Sequence, residues 1–263
     1  MQIDEIDYTL NFKRPPKRII SLVPSQTELL FDLGLEDKIV GVTKFCVHPY
    51  RARQRKTIVG GTKNIKVQKI IDLNPDIILC NKEENTKDIV EVCSQICPVH
   101  VSEIYTIGDT LKLIQEYGNL FDKQDEASTM VDTLKFKIKD FQSYVKDKKP
   151  LKIVYFIWRN PWMVAGHTTF THHLLEMNKY QNIYQSRERY PKVELKKIKI
   201  ESDLDLIFLS SEPYPFKKEH ALEINRFTPY ATTVFVDGEM FSWYGSRLLK
   251  AFNYFKELRE RLG

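Results

Sequence analysis

Long apolar runs are missing from this sequence of 263 residues. No stretch approaches the roughly 18 uninterrupted apolar residues of a membrane-spanning helix, so direct insertion into a membrane is not expected. The opening residues, MQIDEIDYTLNFKRPP, are acidic and have neither the basic start nor the apolar centre of a secretory signal. A cytoplasmic protein is expected on that ground. Cysteines are few, four in all. Cys93 and Cys97 stand one helical turn apart in CSQIC, but no second pair at zinc-like spacing follows, which leaves structural or free thiols. Phosphate-binding signatures are missing too. The Gly60-Gly61 pair in GGTKN has neither G-K-S/T nor G-x-G-x-x-G beside it and reads as a turn. No Ser/His/Asp order or paired carboxylate geometry can be established, so an enzyme is not expected. The basic excess, 40 Lys and Arg against 35 Asp and Glu, is scattered through runs such as KDKK and KKIK. Without interleaved aromatics these are solvated faces rather than a nucleic-acid surface.

What is present is a hydrophobic fraction of 42%, enough for substantial cores, arranged as alternating strand-like and helix-like segments. Residues Arg18 to Val23 are β-rich and Pro24 breaks the run. SQTELLFDLGL then reads as a helix, with Ser25 and Glu28 at capping-box spacing and an end near Gly34. Ile39 to Thr43 predicts a strand, KVQKIIDLN a short helix, PDIILC a buried strand, and QICPVHVS a strand entered through Pro98. Such alternation predicts an α/β protein with parallel sheets.

Between about Leu120 and Val145 the pattern changes. Ala127, Val131, Leu134, Ile138, Phe141 and Val145 recur at spacings of four and three, which predicts one amphipathic helix of about 25 residues, on the order of 38 Å long. Beyond it the first pattern returns at nearly constant offset: KIVYFIW answers KRIISLV, TTFTHHLLEMN answers SQTELLFDLGL, and SDLDLIFLSSEPYP answers NPDIILCNKEEN. Two Rossmann-like lobes with parallel sheets, joined by one long spanning α-helix, are therefore expected. Their ranges are 1–117 for the first lobe, 118–148 for the connecting helix and 149–263 for the second.

Open parallel sheets bind ligands beyond the carboxyl ends of their strands. This places WRNPWMVAG, after the apolar run 153–157, in the expected cleft between lobes, beside a helix N-terminus near Thr168 or Thr169. Trp158, Arg159 and Trp162 are then ligand candidates, with core packing under a loop as the alternative for the tryptophans. Other strand ends add Tyr50 and Glu83, then Glu212 and Tyr214, and the late motif DGEMFSWYGSRL adds Trp243, Tyr244 and Arg247. Flat aromatics with a few charged groups suit a large planar or ring-shaped ligand. Cys46 and His48 in KFCVHPY form a soft pair that could reach a metal centre, or a turn with a hydrogen-bonded histidine. Arg159 and Arg247 could instead be solvated or paired with Glu212. His172 and His173 read as a packing and a surface histidine.

The succession RIISLVPSQTELLFDLGL, GVTKFCVHP, GGTKN, PDIILCNKEEN, a long helix, WRNPWMVAG, SSEPYPF and SWYGSRL resembles the helical-backbone class of substrate-binding proteins, which bind cobalamin, haem and iron siderophores for ABC transporters. The similarity runs from about Arg18 to Leu258. It implies two Rossmann-like lobes, a spanning helix, little hinge closure and a shallow cleft. The implied ligand is a cobalamin-like corrinoid or another metal chelate such as haem or a siderophore, bound without turnover and with no resident cofactor. The class also implies an ABC permease as partner, met by a glutamate on each lobe. At the matching positions this sequence has Gln68 and Lys196, with Glu194 close by. A cytosolic chelate-handling enzyme or sensor on the same fold is the alternative function.

Overall fold

The computed structural model describes residues 12–198 and 203–262. The chain forms two compact units.

Unit 1 begins with β1 (Ile19–Ser21), whose β-branched residues are all buried, as a central parallel strand requires. Helix α1 (Pro24–Asp32) follows at once. Pro24 stands at its first turn, where a missing N–H costs nothing and φ is already helical. The expected capping box does not form. Val23 occupies the N-cap without a side-chain bond, and Ser25 and Glu28 are buried. The helix does stop at Gly34, whose φ of 73° suits a left-handed terminus. Then come β2 (Ile39–Val42), α2 (Arg51–Arg55), β3 (Thr57–Ile58), α3 (Val67–Asp72), β4 (Ile77–Asn81), α4 (Lys87–Ser94) and β5 (Val99–Ser102). The sheet runs β3-β2-β1-β4-β5, all parallel. Order reverses between β1 and β4, and their carboxyl ends flank the crevice where open α/β sheets take ligands. Ile20, Leu22, Ile78, Cys80 and Val99 form the core on one face, with Cys93 of α4. All four cysteines are free thiols.

Helix α5 (Ile107–Phe121) ends near Asp122, at φ 58°, and α6 (Gln124–Val145) follows with 22 residues. The division between units falls inside α6, after Thr133. Ala127, Val131, Leu134, Phe141 and Val145 are buried, so the four-three spacing does mark its packed face.

Unit 2 contains β6 (Leu151–Trp158), β7 (Met163–Val164), α7 (Phe170–Met177), β8 (Tyr180–Asn182), α8 (Leu195–Ile198), β9 (Leu206–Ser210), α9 (Lys218–Asn225), β10 (Thr232–Val236), α10 (Gly238–Ser242) and α11 (Leu248–Leu262). Strand β6 pairs in parallel with β8 and β9, and β9 with β10. This repeats the pairing of β1 with β2 and β4, and of β4 with β5. The repeat departs at β7, which runs antiparallel to the end of β6. Val154, Phe156, Ile207 and Leu209 build the core on one face. Behind the other, Tyr155 packs edge-on to Phe241 (5.4 Å), and Phe141 of α6 meets Phe252 of α11 (5.5 Å). The chain does not stay in unit 2 after β10: residues Tyr244–Arg247 belong to unit 1, a return that the range 149–263 did not foresee. Among the described residues no helix is long and apolar enough to cross a membrane.

Candidate functional site

In unit 1 the polar groups at the strand ends mostly bond to one another or to backbone, while two aromatic rings after β2 stay exposed. Cys46 is fully buried. Its sulfur lies 3.1 Å from Thr27 Oγ1 and 3.3 Å from Thr43 Oγ1, and burial pushes the thiol pKa up. A protonated, enclosed sulfur is a poor metal ligand. His48, half-buried, precedes a cis proline at 49. The rings that KFCVHPY presents to the outside are Phe45 and Tyr50, beside the exposed Lys44. Phe45 was not singled out from sequence. It lies against the GGTKN turn, where a Cβ on Gly61 would come 3.1 Å from its ring and one on Gly60 would strike the Asn64 carbonyl at 2.4 Å. The turn expected there is therefore sterically bound to glycine.

After β4, Asn81 Oδ1 accepts the backbone N–H groups of Glu83 and Glu84 (2.9 and 3.1 Å), and Asn85 Nδ2 donates to the Thr62 carbonyl (3.0 Å). Glu83 is half-buried, and its carbonyl accepts from Lys63 Nζ at 2.7 Å. Its neighbour Glu84 has its carboxyl pKa raised by burial and by the Glu83 charge.

The SWYGSRL motif divides between the units. Tyr244 and Arg247 are 6% and 4% exposed within unit 1. Gln26 Nε2 donates to Tyr244 Oη (3.0 Å) and Ser102 Oγ (2.6 Å), while Gln26 Oε1 accepts from Tyr117 Oη (2.8 Å). Arg247 Nε donates to Glu28 Oε2 at 2.8 Å. Arg247 thus neutralises the glutamate expected in the capping box of α1. Trp243 belongs to unit 2, where its Nε1 donates to Glu212 Oε1 (2.8 Å), an oxygen that also accepts from Ser242 Oγ (2.7 Å).

In unit 2 the strand ends are aromatic. WRNPW is the reversal between β6 and β7, with Asn160 at φ 64° before a cis Pro161. Strand alternation on either side of this turn gives its two tryptophans different environments. Trp162 stacks on Phe216 (5.9 Å, 8°) and meets Phe156 edge-on (5.4 Å), packed against the core. Trp158 is 39% exposed and stands edge-on to Tyr214 at 5.5 Å. The Arg159 guanidinium lies over the Trp162 ring (5.6 Å) and is paired with Glu223 at 2.8 Å, not with Glu212. Glu223, Phe216 and His220 were missed, since nothing local in SSEPYPFKKEHALE shows which of its residues fold back onto β6. Thr169 caps α7 as expected, accepting from the His172 N–H at 3.1 Å. The structure brings together Trp158, Arg159, Trp162 and Tyr214, and sets Glu212 with Trp243.

Elsewhere, Gln68 is exposed on α3 and donates to Asp72 (2.8 Å), Lys196 is exposed on α8, and Glu194 pairs with Lys197 (2.7 Å). Among the described residues no group of three or more His, Cys, Asp or Glu is placed to hold a metal ion. A separate recess lined by Phe12, Arg14, Asp76, Cys97 and Pro98 sits at the amino ends of β4 and β5, away from the strand ends described above.

Several known proteins are similar to this chain. An ABC transporter substrate-binding lipoprotein of Bacillus subtilis is 29% identical over 147 residues, which cover 54% of this chain and only 46% of that relative. The periplasmic vitamin B12 binding protein of Vibrio cholerae superposes with a TM-score of 0.77 at 18% identity, over 94% of this chain and 98% of that one. The periplasmic heme binding protein of the same organism gives a TM-score of 0.77 at 18% identity, over 92% and 98%. At these identities the structural likeness shows the shared two-lobed α/β fold. The relatives also overturn the cytoplasmic location expected from the opening residues, because they are periplasmic or lipoproteins by name and point outside the cytoplasm. That expectation rested on residues 1–16, of which 1–11 lie outside the described residues. The match to the periplasmic binding protein model extends over residues 19–227, from β1 through α9, and the chain belongs to that family.

Proposed function

We propose that this protein is the substrate-binding component of an ABC-type importer and that its ligand is a metal chelate, corrinoid-like or haem- or siderophore-like, bound without chemical change. The observation that carries the reading is the aromatic group at the strand ends of unit 2. Trp158 and Tyr214 stand edge to face and partly exposed, with a guanidinium beside them. A flat indole face with neighbouring donors suits a macrocycle that carries polar groups on its rim. Family membership and the vitamin B12 and heme named for two structural neighbours support the same class of ligand. A catalytic role would have to use Cys46 with His48, and the enclosed Cys46 thiol speaks against it. The permease would be met by an exposed acidic group such as Glu194, since Gln68 and Lys196 lack the carboxylate that the class implies. The test is the visible spectrum of the protein isolated from its own host, followed by titration with cyanocobalamin, haemin and ferrichrome. A corrin or haem band and quenching of tryptophan fluorescence are expected. No chromophore and no binding of any of the three would overturn the reading.

A further inference from the structure

The aromatic group of unit 2 contains a hydrogen-bond chain whose direction is fixed by its inner end. His220 is buried in α9, and its Nδ1 accepts the backbone N–H of Lys217 at 2.9 Å. A ring nitrogen that accepts carries no proton, so the neutral imidazole holds its proton on Nε2. That nitrogen lies 3.2 Å from Tyr214 Oη. The other group near it, Glu219 Oε1 at 3.6 Å, is also an acceptor. The bond therefore runs from imidazole to phenol. The phenol oxygen thus accepts from the imidazole, and the phenol's own proton is left for an acceptor from outside the group. Tyr214 is half-buried, beside the exposed Trp158.

We propose that Tyr214 is a specificity-determining donor of the ligand site and that His220 is its positioning residue. The phenol proton meets an acceptor oxygen on the rim of the ligand, a carboxamide, carbonyl or carboxylate, while Trp158 faces the ring system. This rests on the chelate reading above and adds to it a chemical demand: a ligand without an acceptor oxygen at that place leaves the phenol proton unmatched and is discriminated against.

The experiment has two arms. In the free protein, long-range proton–nitrogen NMR of His220 should show the Nε2–H form; an Nδ1–H form would overturn the proposal. Affinity for cyanocobalamin, haemin and ferrichrome is then measured by tryptophan quenching for wild type, Tyr214→Phe, His220→Asn and His220→Gln, with circular dichroism to confirm folding. Asparagine can keep the acceptor for the Lys217 N–H but not the reach to Tyr214, whereas glutamine regains that reach. For the probe that wild type binds, Tyr214→Phe and His220→Asn should each weaken binding about tenfold, and His220→Gln should recover to within about threefold. If wild type binds a probe and Tyr214→Phe binds it equally well, this proposal falls and the chelate reading stands. If wild type binds none of the three, both fall. Should the His220 variants fail to fold, Tyr214→Phe and the tautomer decide between them.

Discussion

The strand ends of the two units spend their polar chemistry differently. In unit 1, Gln26, Asn81, Asn85, Ser102 and Tyr244 bond to one another or to backbone, and Arg247 is held by Glu28. In unit 2 the corresponding places hold rings, and Trp158 and Tyr214 keep part of their surface open. The difference teaches that a residue type suited to recognition is not thereby available for it. Arg247, Tyr244 and Cys46 satisfy neighbours within their own unit. The rings left open lie at the hairpin and the proline-rich loop of unit 2, with Phe45 and Tyr50 of KFCVHPY as their counterpart in unit 1.

The sharpest way to break this comparison is Arg247→Met. Removing one partner of a pair whose side chains are 5% and 4% exposed leaves a buried Glu28 charge, at a cost of about 3 to 5 kcal/mol. Denaturant unfolding should show that loss, and Glu28→Leu combined with Arg247→Met should recover most of it. A variant that stays stable but loses ligand affinity would return Arg247 to the binding residues.

The two tryptophans of the hairpin provide the next test. Trp162→Ala removes a ring stacked on Phe216 and should cost roughly 3 kcal/mol of stability. Trp158→Ala should cost under about 1 kcal/mol of stability but weaken cyanocobalamin or haemin binding by about tenfold or more. Thermal unfolding and titration of both variants check the pair, and reversed outcomes would exchange the roles assigned to them.

A smaller effect concerns the two interiors under alkali. Burial raises the pKa of Cys46, Tyr117 and Tyr244 in unit 1 and of Tyr155 and Tyr180 in unit 2, the last to about 12. An unfolded chain releases these protons near the ordinary thiol and phenol values while the folded one keeps them. Stability is therefore fully present below about pH 9 and falls as pH rises, by at most about 1.4 kcal/mol per pH unit for each group. Tyr155→Phe and Tyr244→Phe should each flatten the fall seen between pH 9 and 11, sharing it between the units.

The smallest effect expected is at His48. If unit 1 is closed around Cys46 as described, His48→Ala should change stability by less than about 0.5 kcal/mol and leave the visible spectrum of a bound chelate unaltered. A shifted spectrum would make His48 an axial ligand and weaken the contrast between the units.

Hydrophobic periodicity and punctuation by themselves determined the α/β class, most strand positions, the long helix and the repeat of the first pattern in the second half. Those signals are local: a β-branched run such as Arg18 to Val23, or spacings of four and three from Ala127 to Val145, states its period regardless of what it later touches. That Trp158 and Tyr214 follow strand ends was legible for a related reason, since the carboxyl end of a parallel strand is a place defined by topology. Only the tertiary structure decided that Trp162 faces the core while Trp158 faces out, because the turn at Asn160-Pro161 and antiparallel pairing with β7 set their sides. Likewise, Glu28 reads as a helix cap in isolation. It becomes a buried counter-ion because Arg247, 219 positions away, returns to neutralise it, and no local pattern encodes a pairing made by the chain's return.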